Sequence, residues 1–185
     1  MNGIVLTHGA GSNANSPLLM ALSAAFEAAG WHAVRYNLPY RQLRLTGPPF
    51  PAQAANDRAG LAQQVAEMRS SGHGVVAVGG HSYGGRQASI LAAERPGLID
   101  ALLLLGYPLH PPRKPEQLRT AHFKDWRCPA LFIQGMRDPF ASIDELTAAT
   151  AVIEAPTRIL PQQGAGHELK GLDAAAVVRE FEAMI

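Results

Sequence analysis

Cysteine is almost absent from this sequence, with Cys128 the only one among 185 residues. One cysteine cannot form an internal disulfide and suits a reducing compartment, so we expect a cytoplasmic protein. No apolar run approaches the roughly 18 residues of a membrane-spanning helix, and the first residues show no secretory signal. A net charge of +1 gives no reason to expect nucleic acid or a membrane surface as a partner.

Length and composition predict a single globular domain over residues 1–185. Hydrophobic residues make up 47% of the chain and charged residues 17%, which fits one well-buried core. Strand-like apolar runs alternate with helix-like segments. The runs cover residues 4–6, 32–37, 75–78, 101–105, 130–133 and 158–160. Six such strands predict an α/β fold, a three-layer α/β/α sandwich around a mostly parallel sheet.

The connections between these runs carry further predictions. Residues 38–53 are predicted to form a loop, and a short helix is predicted from about Pro115 within residues 107–127. The connection from the fourth strand to the fifth is only about two dozen residues long, too short for a large helical cap. We therefore expect an open or lightly covered pocket.

One short stretch, GGHSYGG at residues 79–85, follows a buried strand and contains the pattern G-x-S-x-G. This pattern is typical of a nucleophile elbow, a strained strand-to-helix turn that exposes a serine hydroxyl. Glycines permit the sharp turn and the close packing that it needs. The stretch predicts Ser82 as a nucleophile.

Chemically useful side chains follow other strands at their carboxyl ends, where sites collect in open parallel sheets. Asp138 follows the fifth strand and His167 follows the sixth. Because a serine hydroxyl needs a base to remove its proton, His167 is the predicted base and Asp138 the acid that orients it. Asp144 is a rival for the acid.

The negative charge that develops on an attacked carbonyl needs preorganised N–H donors. The amide of Tyr83, directly after Ser82, is predicted as one donor. The second is predicted from the sequence HGAG after the first strand, with Ala10 preferred and Gly11 as the alternative. His8 and His81 are candidate substrate contacts, although each could instead bond or pack locally.

A competing pattern overlaps the HGAG stretch. Residues 9–14 match G-x-G-x-x-G/A, the dinucleotide-binding fingerprint. The following helix is predicted to begin only near Ser16, and the second strand ends without an acidic residue for a ribose hydroxyl. No group of histidines, cysteines or carboxylates shows metal-site spacing. We therefore expect no cofactor and no metal.

Basic residues are concentrated in residues 35–58 and 107–127, and both segments leave the carboxyl ends of strands. If they rim the pocket, positive charge there would favour an anionic substrate. Arg113 and Lys114 are the candidate contacts. Solvated loops whose basic side chains point away are the alternative.

The stretches HGAGSN, GGHSYGGRQAS, GYPLHPP, QGMRDPF and GAGH occur in the order typical of α/β hydrolases. The chain resembles a compact, dienelactone-hydrolase-like branch of that superfamily, which includes testis-expressed protein thirty and the hydrolase-like domain of NSL complex subunit three. The resemblance implies a minimal hydrolase fold, with Ser82, Asp138 and His167 at the triad positions. Dienelactone hydrolases themselves use a cysteine nucleophile, so their substrate does not carry over.

These observations predict a serine hydrolase that cleaves a small carboxylic ester or thioester. A hydrolase-like scaffold for protein interactions and an acyltransferase with the same triad are the alternatives. The sequence does not predict the oligomeric state.

Overall fold

The computed structural model describes all of residues 1–185 as a six-stranded parallel sheet with helices on both faces. The strands are β1 (Gly3–Thr7), β2 (His32–Tyr36), β3 (Val76–His81), β4 (Ala101–Leu105), β5 (Ala130–Gly135) and β6 (Thr157–Gln162). The helices are α1 (Pro17–Ala28), α2 (Pro39–Leu43), α3 (Ala54–Ser70), α4 (Tyr83–Glu94), α5 (Ile143–Thr150) and α6 (Ala174–Glu182). The predicted three-layer α/β fold is confirmed. None of its helices combines the length and apolarity that crossing a bilayer requires.

The strands lie in the order β2-β1-β3-β4-β5-β6, so the direction of winding reverses at β1. The chain passes from β1 to β2 on one side and then returns to place β3 on the other. Thr7 at the end of β1 pairs with Gly80 near the end of β3. The loops after these two strands therefore leave the sheet side by side, which is where open parallel sheets form a ligand crevice.

Two apolar layers hold the helices against the sheet. Leu22 and Phe26 of α1 pack with Phe181 of α6 on one face. Helices α3, α4 and α5 cover the other face. Every residue of β1, β3, β4 and β5 is buried, because helices lie on both sides of these central strands.

Helices α1, α5 and α6 each begin directly after a residue whose side chain caps the helix. The Ser16 side chain accepts a hydrogen bond from the Leu19 amide and precedes proline at the first helical position. Ser142 and Glu145 form a capping box at the start of α5, and the Asp173 carboxylate caps α6. The caps satisfy amides that would otherwise lack partners at the helix starts.

Two local predictions are wrong. No helix begins near Pro115, because residues 111–117 form isolated turns and Arg113 adopts a positive φ of 61°. The only helical turn in that connection is a 3-10 turn at Phe123–Asp125. In contrast, α2 lies inside residues 38–53, which were predicted as loop. With five residues, this helix is too short to show a periodic apolar face.

The GYPLHPP stretch, residues 106–112, anchors the connection between β4 and β5. The Tyr107 amide donates to Gln134 Oε1 at 2.8 Å, and the His110 amide donates to the Phe140 carbonyl at 3.1 Å. The buried Tyr107 hydroxyl lies 3.1 Å from Ser89 Oγ. These contacts hold the connection against the sheet and α4, so it does not form a large cap.

The backbones of β3 and α4 lie in direct contact, and this contact yields a stability prediction. A Cβ at position 80 would lie 2.5 Å from Gly85 Cα and 2.6 Å from the Gly84 carbonyl carbon. Backbone atoms cannot move away as a flexible side chain can, so Gly80→Ala should lower the free energy of unfolding by about 3 kcal/mol. Urea denaturation measures this change.

Gly74→Ala is the matched control, because the nearest atom to its added Cβ is Asn2 Oδ1 at 3.4 Å. It should change the free energy of unfolding by less than about 0.5 kcal/mol. Equal effects of the two substitutions would contradict this account of the β3–α4 contact.

Candidate active site

Ser82 lies between the last residue of β3 and the first residue of α4. Its backbone has φ 50° and ψ −115°, a combination that is strained for a residue with a side chain. The Ser82 amide donates to the Leu105 carbonyl at 2.9 Å, and its carbonyl accepts from the Arg86 amide at 3.0 Å. The strained turn is therefore held from both sides, and the side chain remains partly exposed.

Three side chains from different strand ends form one hydrogen-bonded chain. Ser82 Oγ lies 2.8 Å from His167 Nε2, and His167 Nδ1 lies 2.8 Å from Asp138 Oδ2. The Asp138 side chain is fully buried, and its other oxygen accepts from the Phe140 amide at 2.8 Å. An ionised carboxylate only accepts, so Nδ1 carries the proton and Nε2 is free to accept from the serine hydroxyl.

Asp144, the rival acid, lies in the first turn of α5 and is exposed. It makes no hydrogen bond or ion pair with His167. The Phe140 ring instead lies against the imidazole, with ring centroids 4.3 Å apart. Of the two aspartates, only Asp138 bonds His167.

The loop after β1 contributes Ala10 and Gly11 to the wall of the cleft that contains Ser82. The Gly9 carbonyl points inward, where it lies 2.9 Å from His8 Nδ1 and accepts from the Ser12 amide at 3.1 Å. The C=O and N–H of a trans peptide point in opposite directions, so the Ala10 N–H points away from the buried Gly9 carbonyl. Ala10, Gly11 and Tyr83 donate their amides to no group within the protein.

His8 does not line the cleft, so the expected substrate contact is not met. The residue is fully buried, and its Nε2 accepts from the Leu38 amide at 3.1 Å while Nδ1 donates to Gly9. Burial, with a smaller contribution from the charge of Arg41, lowers the pKa of His8 to about 4. Neutral His8 therefore fixes the orientation of the Gly9–Ala10 peptide.

His81 lines the cleft but is only 6% exposed. Its Nε2 lies 2.9 Å from the His167 carbonyl, and burial lowers its pKa. A neutral ring that donates to this carbonyl holds the backbone of His167 in place. The local role therefore has direct structural support, and a substrate contact is limited to the small exposed part of the ring.

Arg113 and Lys114 are exposed in the turns of residues 111–117, and neither lines the cleft around Ser82. Two other basic residues predicted to rim the pocket are engaged elsewhere. Arg41 is 3% exposed, and Arg58 pairs with Glu94 at 3.0 Å. The cleft itself, about 450 Å³ in volume, contains Glu168 and no basic side chain other than histidine. The geometry does not support the expected positive rim.

A buried polar network behind the cleft was not predicted from the sequence. Arg41 donates to the carbonyls of Ala10 and Ser12 at 2.9 and 2.7 Å, and it also bonds the carbonyls of Arg44 and Gly47. No carboxylate pairs with this cation. It therefore ties the loop after β1 to α2 and to the segment that follows α2.

Asp57 completes this network. Its fully buried carboxylate accepts from the Tyr40 amide at 2.9 Å and from the Tyr83 hydroxyl at 2.7 Å. The Tyr40 hydroxyl lies 2.8 Å from the Ala10 carbonyl. The excess of arginine in residues 35–58, with Asp57 as the one acid, was a visible signal, but nothing in the sequence showed that Arg41 and Asp57 are buried.

The parallel sheet and the Ser-His-Asp arrangement define a class of protein, and comparison with known proteins identifies the family. A family described as "Alpha/beta hydrolase domain" matches residues 1–180, so the chain belongs to the α/β hydrolases. The narrower resemblance to testis-expressed protein thirty and NSL complex subunit three stays a prediction.

Solved structures share the fold. Dienelactone hydrolase from Anabaena variabilis is 23% identical with a TM-score of 0.72, over 98% of this chain and 84% of that one. Est1E from Butyrivibrio proteoclasticus, with ferulic acid bound, is 13% identical with a TM-score of 0.80, over 99% and 90% of the two chains. A monoacylglycerol lipase from Paleococcus ferrophilus is 14% identical with a TM-score of 0.76, over 98% and 93%.

The buried network predicts that Arg41 restrains the loop after β1. Arg41→Met removes four hydrogen bonds to carbonyl groups, so the Ser12 amide, which donates to the Gly9 carbonyl, should exchange with solvent at least about tenfold faster. Hydrogen-exchange mass spectrometry measures this change.

Arg44→Met is the control, because the Arg44 side chain bonds only the nearby Pro48 carbonyl. Exchange at Ser12 should then stay as in the unsubstituted protein, and amides of α6 should be unchanged in both variants. Unaltered exchange at Ser12 in Arg41→Met would refute the restraining role.

Proposed function

We propose that this α/β hydrolase is a serine hydrolase that cleaves a carboxylic ester or thioester through an acyl-enzyme intermediate. The observation that carries the proposal is the hydrogen-bonded chain from Ser82 through His167 to Asp138, with 2.8 Å at each link. A scaffold for protein interactions has no physical need for a strained serine aligned with a half-buried histidine and a buried carboxylate. These features favour catalysis.

In the proposed reaction, Ser82 Oγ attacks the carbonyl carbon while His167 Nε2 takes its proton. The carbonyl oxygen gains negative charge and is stabilised by the unpaired amides of Tyr83 and Ala10, with Gly11 adjacent. His167 then donates the proton to the leaving oxygen or sulfur, and the acyl–Ser82 ester forms. A water molecule then attacks the carbonyl carbon of the acyl–Ser82 ester while His167 Nε2 takes a proton from the water. His167 donates this proton to Ser82 Oγ, and the acid is released.

Asp138 has two proposed tasks. Its carboxylate holds the proton on Nδ1, so that Nε2 faces the serine, and it stabilises the imidazolium that forms during proton transfer. The Phe140 amide occupies its second oxygen, and the side chain is fully buried. The carboxylate is therefore held with its Oδ2 atom toward His167 Nδ1.

The cleft favours an uncharged substrate over the anionic one expected from the sequence. Its only formally charged side chain is Glu168. The related folds include a dienelactone hydrolase and Est1E with ferulic acid bound, and we propose a small organic substrate for this chain as well. Because Ser82 is partly exposed, we propose that water takes the acyl group instead of a second bound acceptor.

A fluorophosphonate probe tests the nucleophile. The probe should form a covalent adduct at Ser82, because an activated serine attacks its phosphorus as it would attack a carbonyl. Peptide mapping by mass spectrometry should locate the adduct, and Ser82→Ala should remain unlabelled. Labelling at another residue, or an unlabelled but correctly folded protein, would reject the enzymatic proposal and favour a scaffold.

Substitution of the two aspartates tests the acid. Asp138→Asn should reduce kcat for an ester that the protein hydrolyses by about 10⁴-fold, since the amide can stabilise the wrong imidazole tautomer. Asp144→Asn is the control and should stay within about twofold, because Asp144 is exposed and does not bond His167. A large loss only in Asp144→Asn would reverse the assignment.

A further inference from the structure

A second cavity lies beside the Ser82 cleft, between the first turns of α1 and the segment that follows His167. Its volume is about 370 Å³. Ser12, His81 and Glu168 line both this cavity and the Ser82 cleft. Because three residues form walls of both spaces, the cavity adjoins the cleft that contains Ser82.

The walls of the cavity are largely carbon. Pro17, Leu18 and Ala21 come from α1, and Leu169 and Leu172 come from the segment after His167. These side chains offer a ligand no hydrogen-bonding atom. An apolar ligand gains free energy from such walls, whereas a polar group would lose its hydrogen bonds to water there.

The polar residues of the cavity are largely engaged or exposed. Ser16 Oγ accepts from the Leu19 amide as the helix cap, and His81 Nε2 bonds the His167 carbonyl. Lys170 and Glu168 are exposed and carry opposite charges, so they give the opening no net charge. The cavity therefore selects for apolar surface and not for a charged group.

We propose that this cavity binds an unbranched apolar chain of the substrate, so that the protein prefers esters with a chain of about four to eight carbons. The inference rests on the proposed function, because it places the ester carbonyl at Ser82. At roughly 30 Å³ for each water-sized group, the volume accommodates about twelve groups at most, and imperfect packing reduces this number. The chain can belong to the acyl half or to the alcohol half of the ester.

Two ester series distinguish the halves. One varies the acyl chain of p-nitrophenyl esters from acetate to octanoate, and the other varies the alcohol of acetate esters from methyl to octyl. In one series, kcat/KM should rise roughly three- to fourfold for each added methylene until the cavity is full. The other series should change little, since its chain lies outside the cavity.

Ala21→Phe should fill the cavity without disturbing Ser82. Ala21 is exposed on α1, so the larger side chain is compatible with folding. With the half of the ester that shows the preference, kcat/KM should fall at least about tenfold for the eight-carbon chain and stay within about twofold for the shortest ester. Ala24→Phe is the matched control, because Ala24 is also exposed on α1 but does not line the cavity.

Labelling rates give the same comparison without turnover. An octyl fluorophosphonate should label Ser82 faster than an ethyl one, and Ala21→Phe should abolish this difference while Ala24→Phe retains it.

The cavity proposal would be overturned, and the serine hydrolase proposal left intact, if short esters are hydrolysed but neither series shows a dependence on chain length. Equal losses for short and long chains in Ala21→Phe would also overturn it. Absence of both labelling and hydrolysis would reject the two proposals together.

Discussion

Helix α4 can begin directly above β3 only because Gly80 and Gly85 lack side chains, which allows the two backbones to touch. This contact forces Ser82 into its strained conformation and turns its side chain out of the sheet edge. The same crowding continues at Gly84, whose amide donates to the His8 carbonyl at 3.1 Å. The elbow is therefore joined to the loop after β1. The close packing at these glycines fixes the position of Ser82 relative to that loop.

Two buried charges extend this arrangement away from the sheet. Arg41 bonds four carbonyl oxygens, and Asp57 accepts from the Tyr40 amide and the Tyr83 hydroxyl, yet no ion pair joins the two residues. A buried charge without an opposite partner is stable only if hydrogen bonds replace its lost hydration. The orientation of the loop after β1 is thus linked to the desolvation of Arg41, because displacement of the loop would remove two of the four hydrogen bonds of that cation.

The sequence predicted the features that depend on local chemistry. The strands, the start of α1 near Ser16 and the order Ser82, Asp138, His167 follow from apolar runs, turn residues and positions after strands. It could not predict the positions of long side chains, because the burial of Arg41 depends on carbonyl groups brought together by loops far apart in the chain. Arginine in a loop normally indicates a solvated charge. A different expectation, that basic loops leaving strand ends rim the pocket, placed Arg113 and Lys114 near it, whereas both are exposed and do not line the cleft.

The two faces of the sheet contribute different properties to the site. On one face, α2, α3 and the Tyr83 side chain hold the amides around Ser82 through buried polar contacts. On the other, α1 and the segment after His167 line an apolar cavity beside the cleft that contains Ser82. Polar contacts are geometrically strict, while apolar walls tolerate changes of size and shape. Substitutions in α1 can therefore alter which chain the protein accepts while the network of Arg41 and Asp57 keeps the reacting groups in place.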